Sequence, residues 1–324
     1  MNAEIESRVD EFERQIVFFP PYRRAFELLN LAIESTKLRG IPTSTVISAP
    51  SGAGKTTLLN YFHDQFEAES EELTAEGVRR IIPVIYLSVP PKVTIKDLAK
   101  AILEKLHVFG VKGDTVDLTR MVIKNLKTCQ TRAILLDEIQ LFAKHNPAKS
   151  VEDAADWLRN LLDQINIAVI VAGTPECKEF IYGSSLLARR YPYLATLGYF
   201  NFDDSPECDY TITLKELDKK MYSIGNLHKG AHLTDSGIRI PLYVATSGNL
   251  EYIRQILHLV FLHCLRNEAS GPCINDFAMS CSLLELKLNL AKTRNPFEMN
   301  LADNLNLIER HQNESPKLRR HLAA

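Results

Sequence analysis

The chain has 324 residues, 45% of them hydrophobic, with 38 Lys and Arg against 40 Asp and Glu and a formal net charge of -2. That is enough apolar material for one large or two modest domains. The near-neutral balance excludes a protein that coats DNA through a global positive field, so any nucleic-acid contact has to be a local patch. No apolar run approaches the length of a membrane span, and Met1 to Arg14 is charged without a signal-peptide core, so a cytoplasmic chain without membrane contact is expected. The cysteines (Cys129, Cys177, Cys208, Cys264, Cys273 and Cys281) contain no C-x-x-C pair and read as reduced thiols, not as zinc ligands or disulfides.

In chain order, Tyr22 to Ile41 sets a basic pair, Arg23-Arg24, among Leu and Ala at helical spacing. Ser44 to Ala49 is a β-branched strand that breaks into V-I-S-A-P-S-G-A-G-K-T-T. A buried strand, a glycine loop and a following helix form the arrangement a nucleoside triphosphate needs. Gly52 and Gly54 let successive N–H groups point at one phosphate, and the positive end of the helix dipole faces the anion. Residues Ser51, Gly52, Ala53, Gly54, Lys55, Thr56 and Thr57 are the expected ATP contacts, with Lys55 on the β- and γ-phosphates and the Thr56 hydroxyl on Mg²⁺. One departure stands out: the usual pattern opens with glycine, and Ala49 holds that place.

A helix is predicted over Thr56 to Phe66, where Leu58, Leu59, Phe62 and Phe66 recur at helical spacing. The acidic Glu67 to Glu76 reads as a solvated helix end or loop, Ile81 to Val89 as the second strand, and Ile95 to Leu106 and Leu118 to Thr128 as helices. The third strand, Arg132 to Asp137, ends in A-I-L-L-D-E. Mg²⁺ on the phosphates needs a nearby carboxylate, which Asp137 would supply, while Glu138 would orient or deprotonate the attacking water, so hydrolysis is expected along with binding. A helix over Val151 to Gln164 and strands Ile167 to Ala172 and Leu197 to Phe202 complete an α/β pattern, a five-stranded parallel sheet covered on both faces. After Pro206, helical spacing takes over, with Leu250, Ile253, Leu257, Val260, Phe261 and Cys264 on one stripe. The expected organisation is an N-terminal helical segment over 1–43, an ATPase domain over 44–206, a helical lid over 207–292 and a tail over 293–324 open to partner binding. Trp157 reads as core packing with Leu161, and His258 and His263 as packed or solvated imidazoles without metal-pair spacing.

That layout, a phosphate-loop α/β unit followed by a small helical lid, is similar to the AAA+ ATPases. The resemblance implies further parts. Thr174, ending I-A-V-I-V-A-G-T-P-E, matches the polar sensor-1 position. Ser185 to Pro192, S-L-L-A-R-R-Y-P, resembles the segment whose arginine serves the neighbouring subunit's nucleotide; Arg190 is the first choice and Arg189 the alternate, against the plainer reading of a solvated basic turn. In S-G-N-L-E-Y-I-R the place where many relatives carry the sensor-2 arginine is Glu251, and either Arg254 substitutes or the sensor is absent.

Three blocks narrow the resemblance: the segment F-F-P-P-Y-R-R-A-F-E-L-L-N-L-A-I-E-S-T-K-L-R-G-I-P-T, the D-E-I-Q-L-F of Asp137 to Phe142, and V-A-G-T-P-E. Over roughly residues 15 to 265 the chain resembles the TnsC/TniB family of AAA+ regulators of DNA transposition. The resemblance implies a homo-oligomeric ring or helical filament on duplex DNA, assembled with ATP and taken apart by hydrolysis. It would recruit transposase subunits to a site marked by a target-selection protein, in several relatives an RNA-guided complex. It also implies that Tyr22 to Ile41 packs near the adenine. Phosphate contacts require Lys, Arg, Thr and backbone N–H groups on a repeated surface. Lys92, Thr94 and Lys96 in P-P-K-V-T-I-K are the leading candidates, equally readable as an ordinary lysine-bearing helix start, with Lys144 and Lys149 the second. Two rivals remain: another AAA+ DNA-associated switch such as a replication initiator or loader, and a small-molecule phosphotransferase, which would leave Glu138, Thr174 and the paired arginines unexplained.

Overall fold

The computed structural model describes residues 3–75, 77–91, 93–145 and 148–321. Two compact units emerge, one formed by Pro21–Gly198 and the other by residues 1–20 together with Tyr199–Ala324.

The elements run α1 (Ala3–Glu13), α2 (Pro20–Arg39), β1 (Thr45–Ser48), α3 (Lys55–His63), β2 (Ser70–Thr74), β3 (Gly77–Ile81), β4 (Val84–Ser88), α4 (Ile95–Lys105), α5 (Thr115–Thr128) and β5 (Ala133–Asp137). They continue with α6 (Gln140–His145), α7 (Ala148–Gln164), β6 (Ala168–Gly173), α8 (Cys177–Tyr182), α9 (Ser185–Ala188), β7 (Tyr193–Thr196), α10 (Asp209–Gly225), α11 (Ser236–Thr246), α12 (Leu250–Arg266), α13 (Ile274–Ser282) and α14 (Leu301–His321).

In the Pro21–Gly198 unit a parallel sheet has the strand order β4-β5-β6-β1-β7. Strands β1, β5 and β6 are buried along their whole length, as a sheet covered on both faces requires. The register matches Ser88 with Asp137, and Ser48 with both Gly173 and Thr196. The carboxyl ends of the neighbouring strands therefore share one rim, and β1, first in sequence, lies between β6 and β7. That reversal opens the crevice in which such sheets bind ligands.

Three expectations need correction. The acidic Glu67 to Glu76 stretch contributes β2 of an antiparallel hairpin and is not a helix end; Glu71 pairs with Arg80 and Glu72 with Arg79 across the strands. Exposed ion pairs supply what apolar alternation does not, so the hydrophobic pattern gives no sign of it. The second strand is shorter than Ile81 to Val89, because Ile81 closes the hairpin and β4 begins at Val84. The fifth strand is Tyr193–Thr196 and not Leu197 to Phe202: the Leu197 N–H reaches the Ser48 carbonyl at 3.0 Å, where β1 ends and its last acceptor is used.

In the other unit, α1 packs on α12 through Phe12 and Phe261, whose ring centroids are 4.9 Å apart. Within the tail, Leu301–His321 forms the long helix α14. Trp157, in the Pro21–Gly198 unit, is a core residue with its indole N–H on the Thr119 hydroxyl at 2.9 Å, and His258 and His263 pair with Glu13 and Asp276.

Candidate functional site

The loop after β1 is shaped by two residues in left-handed conformation, Gly52 (φ 77°) and Gly54 (φ 88°). Gly54 precedes the first turn of α3 and offers no side-chain acceptor, so the first-turn N–H groups stay available to an anion. Ala49 is buried, and among the described loop residues only the two glycines have positive φ. The methyl group therefore occupies ordinary backbone space, which is why alanine is tolerated where the usual pattern has glycine. Lys55 is buried, with its ammonium on the carbonyls of Ala49 (3.2 Å) and Pro50 (3.3 Å). Ala53 is buried, whereas Ser51, Thr56 and Thr57 are exposed. The loop is braced from α2: the buried Tyr22 hydroxyl donates to the Gly54 carbonyl at 3.0 Å.

Facing the loop, β5 delivers Asp137 with a relative exposure of 1%. Its Oδ2 accepts from the Thr56 hydroxyl at 2.6 Å and from the Tyr86 hydroxyl at 3.2 Å, and its Oδ1 accepts from the Glu138 N–H at 2.8 Å. Burial, and then the charge of Asp137, push the Tyr86 phenol up to about 12, so Tyr86 stays a donor. Glu138 follows in left-handed conformation (φ 59°), uncommon for a residue with a side chain and concentrated at functional turns. Its carboxylate accepts from the Gln140 side-chain amide, and the Gln140 Oε1 accepts from the Thr174 N–H at 3.1 Å. Lys55, Thr56, Asp137, Glu138 and Thr174, predicted from separate segments, thus gather on one rim. The sequence did not single out Tyr86 or Gln140. Tyr86 looks like any aromatic in an apolar strand, and Gln140 is visible only as the fourth letter of D-E-I-Q.

The two arginines after α9 differ. Arg190 gives Nε and Nη2 to the Asp163 Oδ1 at 3.1 and 2.6 Å, and its carbonyl accepts from the Ser44 N–H. Arg189 is exposed and forms no ion pair or side-chain hydrogen bond among the described residues. Arg254, in the other unit, is engaged locally: its Nη2 donates to the carbonyls of Phe12 (2.7 Å) and Glu13 (2.9 Å), and its guanidinium lies over the Phe12 ring.

For the DNA candidates, Lys92 lies outside the described residues, as do the side chains of Lys144 and Lys149. Thr94 caps α4 in a reciprocal box with Asp97: its hydroxyl is 2.6 Å from the carboxylate and also accepts from the Asp97 N–H. That hydrogen bond, the largest influence, holds the Asp97 carboxyl below its usual range. Lys96 is exposed.

The family model described as "Bacterial TniB protein" matches residues 11–197. The chain belongs to the TniB family. Comparison with curated proteins gives no match. Among solved structures, the ORC1 protein of Aeropyrum pernix in complex with DNA is similar with a TM-score of 0.56 and 14% identity, over 82% of this chain and 66% of that one. The ORC2 protein of the same organism, in ADPNP-ADP complexes, gives 0.56 and 12% over 83% and 70%, and Cdc6p from Pyrobaculum aerophilum gives 0.55 and 13% over 82% and 67%. This TniB-family chain thus spans about two thirds of the length of these structures and shares their AAA+ P-loop fold. No helix among its described residues is long and apolar enough to cross a membrane.

Proposed function

We propose that the chain is an ATP-hydrolysing regulator of DNA transposition that assembles in several copies on duplex target DNA and links a target-selection protein, such as one of an RNA-guided complex, to the transposase subunits. The observation that carries the ATPase reading is the 2.6 Å contact between the Thr56 hydroxyl and the Asp137 carboxylate, made where the glycine loop meets the end of β5. Family membership supports the transposition setting.

The residues fit the cofactors this reading requires. Two left-handed glycines and an uncapped helix start suit the phosphates of ATP, and a hydroxyl beside a carboxylate is a hard oxygen donor set suited to Mg²⁺. Bound there, the metal would neutralise phosphate oxygens and the developing charge. Lys55 would turn from the loop carbonyls to the β- and γ-phosphates. Glu138 would take the proton of the attacking water or align it, and Thr174, at the end of β6 between β5 and β1, would lie between the acids and the γ-phosphate. An arginine given to the neighbour's nucleotide makes hydrolysis depend on assembly, so ATP would favour the oligomer and its cleavage would drive disassembly. The Asp163 ion pair counts against Arg190 in that role and favours Arg189. In functional terms 44–206 is the ATPase domain, 207–292 the lid and 293–324 a partner-binding tail, preceded by the helical segment 1–43.

The test is electron microscopy with duplex DNA and a non-hydrolysable ATP analogue. Rings or filaments on the duplex that capture the transposase are expected, and their absence overturns the reading. Assembly without any effect on transposase recruitment would favour the initiator or loader alternative, to which the fold of the ORC1 protein gives support.

A further inference from the structure

The hydrogen bonds around Gln140 link two parts of the rim that the sequence treats separately. Gln140 is 6% exposed and opens α6, two residues after Glu138. Its amide nitrogen donates to the Glu138 carboxylate, and its amide oxygen accepts from the Thr174 N–H at 3.1 Å. A buried primary amide used at both ends fixes its own orientation. The donor must face the carboxylate and the acceptor the N–H, because the reverse would set oxygen against oxygen and hydrogen against hydrogen. The backbone around it is built to admit it. A Cβ at position 173 would lie 2.2 Å from the Gln140 Oε1, so glycine at the end of β6 is what lets the amide approach. The left-handed turn at Glu138 aims its side chain back toward Gln140.

We infer that Gln140 is a positioning residue for hydrolysis: it sets the Glu138 carboxylate against the attacking water and ties its place to the Thr174 segment, which leads through α8 and α9 to Arg189. The inference rests on the reading that Glu138 serves the water. A carboxylate that must meet a proton in flight gains from a fixed direction, because an error of about 1 Å costs up to about 10² in rate. Gln140 touches neither the expected phosphates nor the metal ligands, so nucleotide binding should be indifferent to it.

The experiment compares full-length Gln140→Met, Glu138→Gln and the double variant, assayed with DNA present. Gln140→Met keeps the volume and loses both hydrogen bonds. It should lower kcat by about tenfold, the weight of one such hydrogen bond in a transition state, with ATP affinity unchanged. In the Glu138→Gln background the same change should have no further effect, because the group it positions is gone. A residue needed only for folding would lower turnover by the same factor in both backgrounds. If Gln140→Met does not fold, Gln140→Asn decides the matter: it keeps a neutral amide but is one methylene too short to reach both the Glu138 carboxylate and the Thr174 N–H, and should lower kcat with ATP affinity unchanged. Parent-like kcat in whichever variant folds, or an equal further loss in the double variant, overturns the inference. If Glu138→Gln itself turns over like the parent, the reading of Glu138 falls and the positioning role falls with it. A slow Glu138→Gln beside a parent-like Gln140→Met removes the positioning role alone.

Discussion

At the carboxyl edge of β1 and β5, each key polar group is held by a partner from a different element: Asp137 by Thr56 and Tyr86, Glu138 by Gln140, and Gly54 by Tyr22. In the basic turn after α9, one arginine is spent on an acid of its own unit and the other projects without a side-chain partner among the described residues. The first region is organised within a single chain, so that a ligand would meet its carboxylates and loop already in place and only Lys55 would have to turn from the Ala49 and Pro50 carbonyls, which limits the reorganisation a polar site has to undergo. The second offers a charge with nothing to act on. An exposed cation beside a fixed one is what a site shared between copies would need, because the donated group has to reach outward.

The sharpest way to break this contrast is to remove each arginine in turn. Arg189→Ala is expected to lower turnover of the DNA-bound assembly by about 10³-fold or more, the weight of a donated arginine in other phosphoryl-transfer systems. Arg190→Ala should cost less than about tenfold, since a part-exposed ion pair contributes at most about 1 kcal/mol. Mixing Arg189→Ala with Lys55→Ala subunits should restore activity, because each supplies what the other lacks. Steady-state ATPase rates over a range of mixing ratios decide it. A larger loss in Arg190→Ala would reverse the assignment, and no recovery in any mixture would end the idea of a shared site.

Within the self-contained region, binding and chemistry should separate. Glu138→Gln keeps the shape and loses the base, so turnover should fall by about 10² to 10⁴-fold with ATP affinity intact. Lys55→Ala should instead weaken ATP binding by about 100-fold, as the loss of charge-assisted hydrogen bonds implies. Titration with a fluorescent nucleotide alongside the rates reads both effects. If the Glu138 variant loses affinity to the same degree, the two residues are not separate in role.

The α4 segment has neither character, and its residues divide. Neutralising Lys92 and Lys96 together should weaken duplex binding with little dependence on sequence, and lower the salt slope by about 0.9 for each phosphate no longer neutralised. Thr94→Ala should lower the melting temperature without touching that slope, since its hydroxyl serves the cap of α4. Binding of two unrelated duplexes over a salt series is the measure, and an unchanged slope in the lysine double variant would move the DNA-facing surface to Lys144 and Lys149.

How much of this could be read in the sequence follows from range. The glycine loop is legible because its backbone carries the chemistry at fixed spacing, the acids because they end an apolar strand, Thr174 only through the resemblance to AAA+ ATPases, and β1, β5 and β6 because full burial leaves continuous apolar runs. The β2–β3 hairpin escaped because charge pairs across its strands and not hydrophobic alternation hold it. Tyr86 and Asp163 escaped for another reason. Each meets its partner over a long stretch of sequence, Tyr86 with Asp137 and Asp163 with Arg190, and pairing at that range exists only once the sheet has formed. The strand end at Thr196 likewise depends on where β1 runs out, which no local pattern encodes.

The smallest expected effect separates two tyrosines that look alike in the sequence. Tyr22 lies buried under the glycine loop with its hydroxyl on the Gly54 carbonyl, and Tyr86 touches the Asp137 carboxylate beside the expected metal position. In Tyr22→Phe a buried carbonyl loses its donor, which should cost about 1 kcal/mol and lower the melting temperature by about 2–4 °C. In Tyr86→Phe the carboxylate keeps the Thr56 hydroxyl and the Glu138 N–H, so stability should move less. The missing donor leaves more negative charge on Asp137, however, and the Mg²⁺ concentration that half-saturates ATPase activity should fall by about two- to threefold, the equivalent of roughly 0.5 kcal/mol. Melting curves and Mg²⁺ titrations of the two variants form a crossed pair, each with one readout moved and one nearly still. If Tyr86→Phe shifts only the melting temperature, Tyr86 braces the sheet, and the self-contained character of the acidic rim rests on Thr56 and Gln140 alone.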